Sequence, residues 1–96
     1  MRYYHRTSLD IDTVLLEADS YFGSRLSAGD PGERTRTFTG TLGELTLRVR
    51  AEGGHYTNID ISTDQAGESE LDKFAKRFLG TIHTKTDSSH VLRGAY

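Results

Sequence analysis

Near the C-terminus, Leu71, Phe74, Ala75, Phe78, Leu79 and Ile82 recur at the three- and four-residue spacing that lines one face of a helix. A stripe this greasy must be covered, because leaving it in water forfeits the burial free energy of every side chain in it. The cover comes from what precedes it. Three short segments read as strands: Arg34 to Thr41, Gly43 to Glu52 and His55 to Thr63. In the middle one, Leu45, Leu47, Val49 and Ala51 alternate with Glu44, Thr46, Arg48 and Arg50, the pattern of a half-buried strand. In the third, Thr57, Ile59 and Ile61 point inward. A helix laid across an antiparallel meander follows from these two periods.

The alternation also sets the register, because a slip of one residue would turn every apolar side chain outward. Val49 opposite Ile59 puts Leu47 opposite Ile61 and Ala51 opposite Thr57. The same pairing sets Arg48 across from Asp60 on the other face, an opposite-charge pair that favours it. Gly53, Gly54 and His55 then form a three-residue turn. In the preceding hairpin Phe38 pairs with Leu45, and Thr41 and Leu42 close the turn between Gly40 and Gly43. Arg36 accordingly faces Leu47.

Ahead of the meander, Arg2 to Leu9 reads as a strand, with Tyr3, Tyr4 and Thr7 favouring that state. Asp10 or Asp12 offers an N-cap to a helix carrying Val14, Leu15, Ala18, Tyr21 and Phe22. Gly23 is its expected stop, and Leu26 could extend it by a turn. Ser27 to Glu33, with Gly29, Asp30, Pro31 and Gly32, reads as a loop. Asp64 to Glu68 reads as another. Ser69 and Asp72 have the spacing of a capping box ahead of the last helix. Gly80 costs that helix about 1 kcal/mol relative to alanine, so its end is expected close by. The expected fold is α+β: a four-stranded antiparallel sheet in the order β-α-β-β-β-α, with two helices on one face. The first strand lies beside the third meander strand, and the other face is open. Residues 1–84 form the domain and residues 85–96 a polar tail.

With 96 residues the chain has the length of one domain, one that buries roughly 60–65% of its unfolded surface. Only 34% of the residues are hydrophobic, which suits a homodimer sharing apolar surface. Cysteine is absent, which excludes disulfides and thiolate metal sites and fits the cytoplasm. No apolar run approaches the ~20 residues of a membrane span, and Met1-Arg2-Tyr3-Tyr4-His5 lacks a signal-peptide stretch. A soluble, cytoplasmic protein is expected. A net charge of −2 argues against strong non-specific binding of nucleic acid. The cations are unevenly placed: Lys73, Lys76 and Lys85 lie in or just after the last helix, whereas most arginines fall in expected strands.

This element order resembles one half of the TATA-binding-protein-like fold, and a reduced form of the helix-grip folds that hold lipids and small ligands. Around Phe38-Thr39-Gly40-Thr41-Leu42-Gly43-Glu44-Leu45-Thr46-Leu47-Arg48-Val49 the chain is also similar to the short bacterial polyhydroxyalkanoic acid system proteins. In both, an aromatic strand turns through glycines into an alternating strand, and an amphipathic helix closes the domain. The chain departs from them in Asp64-Gln65-Ala66-Gly67-Glu68 and in its C-terminal extension. The resemblance implies a fold and transfers no functional residue. A ferredoxin-like order, with His90 to Arg93 as a last edge strand, is the alternative.

No catalytic signature appears. None of the serines sits in a Gly-x-Ser-x-Gly elbow, and Ser69 is explained as a cap. His5, His55, His83 and His90 lack metal-ligand spacing. Asp60, Asp64 and Glu68 lack the alternation of a calcium loop. No catalytic residue, metal or cofactor is therefore expected, and the chain reads as a small binding or self-association module.

Two sets of residues could serve it. Arg34 and Arg36 share the inward face of their strand with Phe38, and an inward cation must be paired or solvated. They could line a cavity between sheet and helices and hold an anionic or lipidic head group beside Tyr21 and Phe22. Alternatively, they guard an edge strand against pairing with another chain. The open face offers Arg48, Arg50, Tyr56 and Asn58, joined by Tyr4, Arg6 and Arg2. Arginine among tyrosines can stack on bases and contact phosphates, but Glu44 and Asp60 dilute the charge. A protein partner or a homodimer through the sheet ranks ahead of nucleic acid.

Overall fold

In the computed structural model, which describes the backbone of residues 1–94 and the side chains of residues 1–85, the two periods become two layers. The elements are β1 (Arg2–Thr7), α1 (Ile11–Gly23), β2 (Ser27–Ala28), β3 (Thr35–Gly40), β4 (Gly43–Glu52), β5 (Tyr56–Thr63) and α2 (Glu70–Gly94). The strands form one antiparallel sheet in the order β1-β5-β4-β3-β2. Val49 pairs with Ile59, Leu47 with Ile61, Arg48 with Asp60 and Phe38 with Leu45. The register follows the apolar alternation throughout the meander. β1 lies beside β5, with Tyr3 opposite Ile61 and His5 opposite Ile59.

The sheet has five strands rather than the expected four. The extra strand is Ser27–Ala28, in the segment read as a loop. It forms because α1 ends in a turn in which the Leu26 N–H donates to the Phe22 carbonyl at 2.8 Å. Leu26 tucks into the core, and the chain is delivered along the free edge of β3. Ser27 pairs with Thr39 and Ala28 with Phe38, and the Gly29 N–H reaches the Thr37 carbonyl at 2.8 Å. Edge groups of β3 that would otherwise need water are satisfied.

α2 does not stop near Gly80. Phe78 and Ile82 are buried on either side of that glycine, and its own position is open, with nothing within 4 Å of where a Cβ would stand. Continuous packing of the stripe offsets the local cost of glycine. The helix reaches Gly94, so His90 to Arg93 are helical and the ferredoxin-like alternative fails. Of the segment expected as a tail, Ala95 and Tyr96 lie outside the described residues. Among the described residues, no helix is long and apolar enough to cross a membrane.

Both helices contribute to one core on one face of the sheet. Val14, Leu15, Ala18 and Phe22 of α1 and Leu71, Phe74, Ala75, Phe78 and Ile82 of α2 join Phe38, Leu45, Leu47, Val49, Ile59 and Ile61 in a single buried cluster. Phe22 is its centre, with ring centroids 5.3 Å from Phe38, 5.2 Å from Phe74 and 4.8 Å from Phe78. Ala51, expected inside with the other alternating residues of β4, is exposed. Its parity is right, but it borders an open cleft beside Asp10, Ile11 and Asp12 at the start of α1.

A buried polar knot fastens the sheet to α2. The Asp72 N–H donates to the Ser69 hydroxyl at 3.0 Å, as in a capping box. The Asp72 carboxylate, however, does not reach back to the backbone. It accepts from the hydroxyls of Ser69, Tyr3 (2.8 Å) and Thr63 (2.9 Å) and is 0% exposed. Burial pushes its pKa up, but the three hydroxyl donors outweigh that and hold it below the usual carboxylate value. Tyr3 is pushed up to about 12 by burial and by its bond to Asp72.

Candidate functional site

Period-two alternation turns Arg2, Tyr4 and Arg6 of β1, Arg48 and Arg50 of β4, and Tyr56, Asn58 and Asp60 of β5 onto the face opposite the helices. No element of the chain covers that face among the described residues. Tyr4 is 60% exposed and Tyr56 49%. Each carries an arginine: Cζ of Arg2 lies 5.4 Å from the Tyr4 ring centroid, and Cζ of Arg6 lies 5.4 Å from that of Tyr56. These cation–π contacts hold long side chains flat against the sheet.

Two of these arginines are also neutralised. Arg2 donates to Asp60 Oδ2 at 2.7 Å, and Arg6 Nε to Glu52 Oε2 at 2.9 Å. The Arg6 contact draws the Glu52 carboxyl below its usual pKa. Arg48 faces Asp60 in register, yet Arg2 takes that carboxylate from the other side. Asp60 Oδ1 is left buried without a hydrogen-bond partner. Among the described residues, the guanidinium groups of Arg34, Arg48 and Arg50 meet no carboxylate at ion-pair distance. All three are exposed. They border a cleft of about 390 Å³ that Tyr4, Asn58 and Asp60 also line.

The other expected set is not assembled into one site. Arg36 does point inward, opposite Leu47, and is engaged by the protein through Nε and Nη1. Its Nε donates to Asp19 Oδ1 of α1 at 3.0 Å, and its Nη1 to the carbonyls of Gly32 (2.8 Å) and Thr35 (3.1 Å). It straps the 29–34 loop to α1. Phe22 is completely buried. Tyr21 stacks on Phe74 at 5.0 Å and borders a shallow recess with Arg77 and Lys85. Arg34 leaves this group for the open-face cleft. It directly precedes β3, and its carbonyl accepts from the Val49 N–H at 3.0 Å, so its side chain sits at the rim of the sheet.

A second cleft, about 470 Å³, lies at the end of the sheet between the start of α1 and the β4–β5 turn. Asp10, Asp12 and Glu33 line it together with Arg34 and His55. The Asp10 carboxylate already accepts from the Thr13 N–H at 2.8 Å, so the helix start is capped from within and its surroundings are acidic. No group of His, Asp and Glu residues that could hold a metal ion occurs among the described residues.

Strand parity in the sequence placed Arg48, Arg50, Tyr56, Tyr4 and Arg6 on the open face, where the register puts them. It missed that Arg34 completes the cleft. The available signal was its position just before β3, where a long side chain can reach either face. Comparison with family models and with curated proteins finds no match for the chain.

Proposed function

We propose that this protein is a non-catalytic binding module that receives an acidic partner on the open face of its sheet. One observation carries this reading: three exposed guanidinium groups, none at ion-pair distance from a carboxylate among the described residues, border a cleft beside an exposed tyrosine, while the opposite face is filled by packed side chains. Unpaired arginines clustered on one surface raise the local potential for an anion, and the planar fork of each suits carboxylate or phosphate. The reading with a head group between sheet and helices fares worse. Its central residue, Arg36, is spent on Asp19 and two carbonyls, and Phe22 has no exposed surface. A two-fold homodimer through the same face would bring the arginine cluster toward its own copy, because such an interface uses one patch on both subunits.

The test is amide chemical-shift mapping of the labelled protein with three acidic probes: polyglutamate, a single-stranded oligonucleotide and phosphatidylglycerol vesicles. Shifts concentrated on Tyr4, Arg48, Arg50 and Asn58, with Asp19 and Phe22 unmoved, are expected for at least one probe. Shifts confined to the helices, or none with any probe, would remove the proposal.

A further inference from the structure

We infer that the occupant of the open face is single-stranded nucleic acid, with successive phosphates held by Arg34, Arg48 and Arg50 and a base laid against Tyr4. This rests on the binding-module reading and names its partner.

Arg48 and Arg50 are two residues apart on one face of β4, a spacing of roughly 6–7 Å. Arg34 joins them from the adjoining edge, where its carbonyl meets Val49. The three converge on one cleft. All are arginine, and the chain's lysines lie elsewhere, on the helix side. A guanidinium binds phosphate through two parallel donors, which a lysine cannot match.

Tyr4 and Tyr56 supply what a phosphate site alone would not need. Both are exposed on the same face. Tyr4 stands opposite Asp60, four residues along β5 from Tyr56, a separation of roughly 13 Å. Each ring carries an arginine guanidinium over one face, and a guanidinium plane itself stacks on bases. Such platforms accept bases of any sequence, because every base has a π-face.

The rings select among anionic partners. Asp60 and Glu52, which interrupt the arginines, are already paired with Arg2 and Arg6. An acidic peptide meets the free guanidinium groups but gains nothing from the rings. A nucleotide brings a base to stack as well as a phosphate. A duplex keeps its bases stacked on each other and offers Tyr4 no free face, so the strand must be single.

Affinity should fall only gently with salt despite the arginines, because about three phosphates are neutralised. The slope of log K against log salt is then about −2 for a single strand. A net charge of −2 on the whole chain is compatible with a patch this local.

The experiment is fluorescence anisotropy of the full chain with a labelled 12-nucleotide single-stranded RNA. Its competitors are the same sequence as a duplex, polyglutamate and uridine monophosphate. Saturable binding is expected, with a salt slope near −2. Tyr4→Ala should weaken it about tenfold, in line with the loss of one stacked base. Arg48→Ala should weaken it and flatten the slope by about 0.7. Arg77→Ala, on the exposed side of α2, should leave it unchanged. Tyr4 and Arg48 are exposed, so both variants should melt with the parent. Duplex or polyglutamate competing as well as the single strand would overturn this inference while leaving the open face as the binding surface. So would uridine monophosphate matching the 12-mer. Single-strand binding indifferent to Tyr4→Ala and Arg48→Ala would overturn it too. The binding-module proposal fails separately, if shift mapping places every probe on the helices.

Discussion

Asp72 is the residue on which the sheet-to-helix junction turns. A carboxylate with no exposed surface is tolerable only when its oxygens are satisfied, and Tyr3, Thr63 and Ser69 do this from three different segments. Asp72→Asn keeps the shape but removes the charge that these hydroxyls address. It should cost about 1.5–3 kcal/mol, the range for hydrogen bonds to a charged group, measured by urea unfolding at pH 7. The pH dependence follows from direction. The folded pKa of Asp72 lies below its unfolded value, so its contribution is complete above about pH 4 and fades as pH falls through the lower folded value. The asparagine variant should lose less stability than the parent on acidification through that range. Tyr3 gives the opposite limb. Its folded pKa is raised to about 12, so its contribution is intact below the ordinary phenol value and disappears as pH rises toward 12. Tyr3→Phe should flatten the loss of melting temperature above pH 10. A cap was legible in the sequence here, because Ser69 and Asp72 have the spacing. The inward turn of the carboxylate was not. The clue lay in Tyr3 and Thr63, polar residues on the inward parity of their strands, whose convergence on one helix start appears only in three dimensions.

Among the elements, β3, β4 and β5 were the most legible, because a misaligned register would have buried Arg48 and exposed Leu47. The two β-turns were legible for a different reason: glycine marks where the backbone leaves ordinary space. Gly53 and Gly54 have φ of 66° and 77°. Gly43, at φ 129°, carries a further burden, since a Cβ there would stand 2.6 Å from Asp64 Oδ1 and 2.8 Å from Gln65 Nε2. That carboxylate accepts the Glu44 N–H at 2.9 Å and so fastens the loop before α2 to the β3–β4 turn. Gly43→Ala combines strain with a clash. It should cost about 1–3 kcal/mol, read as a lower urea midpoint with an unchanged slope. β2 was illegible because two residues cannot show a period, and Ser27–Ala28 run into glycines and a proline. The length of α2 was misjudged because Gly80 was weighed by its intrinsic propensity, whereas Phe78 and Ile82 decide through packing.

At the scale of the molecule the two faces of the sheet divide the labour. One holds the whole apolar core, centred on Phe22. Phe22→Ala should remove about 3–5 kcal/mol from a total of about 5–15, so the variant should be partly unfolded at 37 °C by circular dichroism. The other face holds the arginine–tyrosine surface and contributes little to stability, since the arginines of its ion pairs are exposed. Parity alone told the two faces apart. Which arginines were spent could not be read, because Arg2 and Arg48 compete across the sheet for Asp60, and Arg36 meets Asp19 on a separate element.

The order of the strands has a consequence for synthesis. β1 is the earliest of these elements to leave the ribosome, yet it pairs in the sheet with β5, and Tyr3 bonds to a residue 69 positions later. Until β5 has emerged, the nascent β1 has no strand to pair with, so closure of the domain waits on contacts between distant parts of the chain. Arg2 and Arg6 keep that waiting segment charged, which discourages it from joining a strand of some other polypeptide.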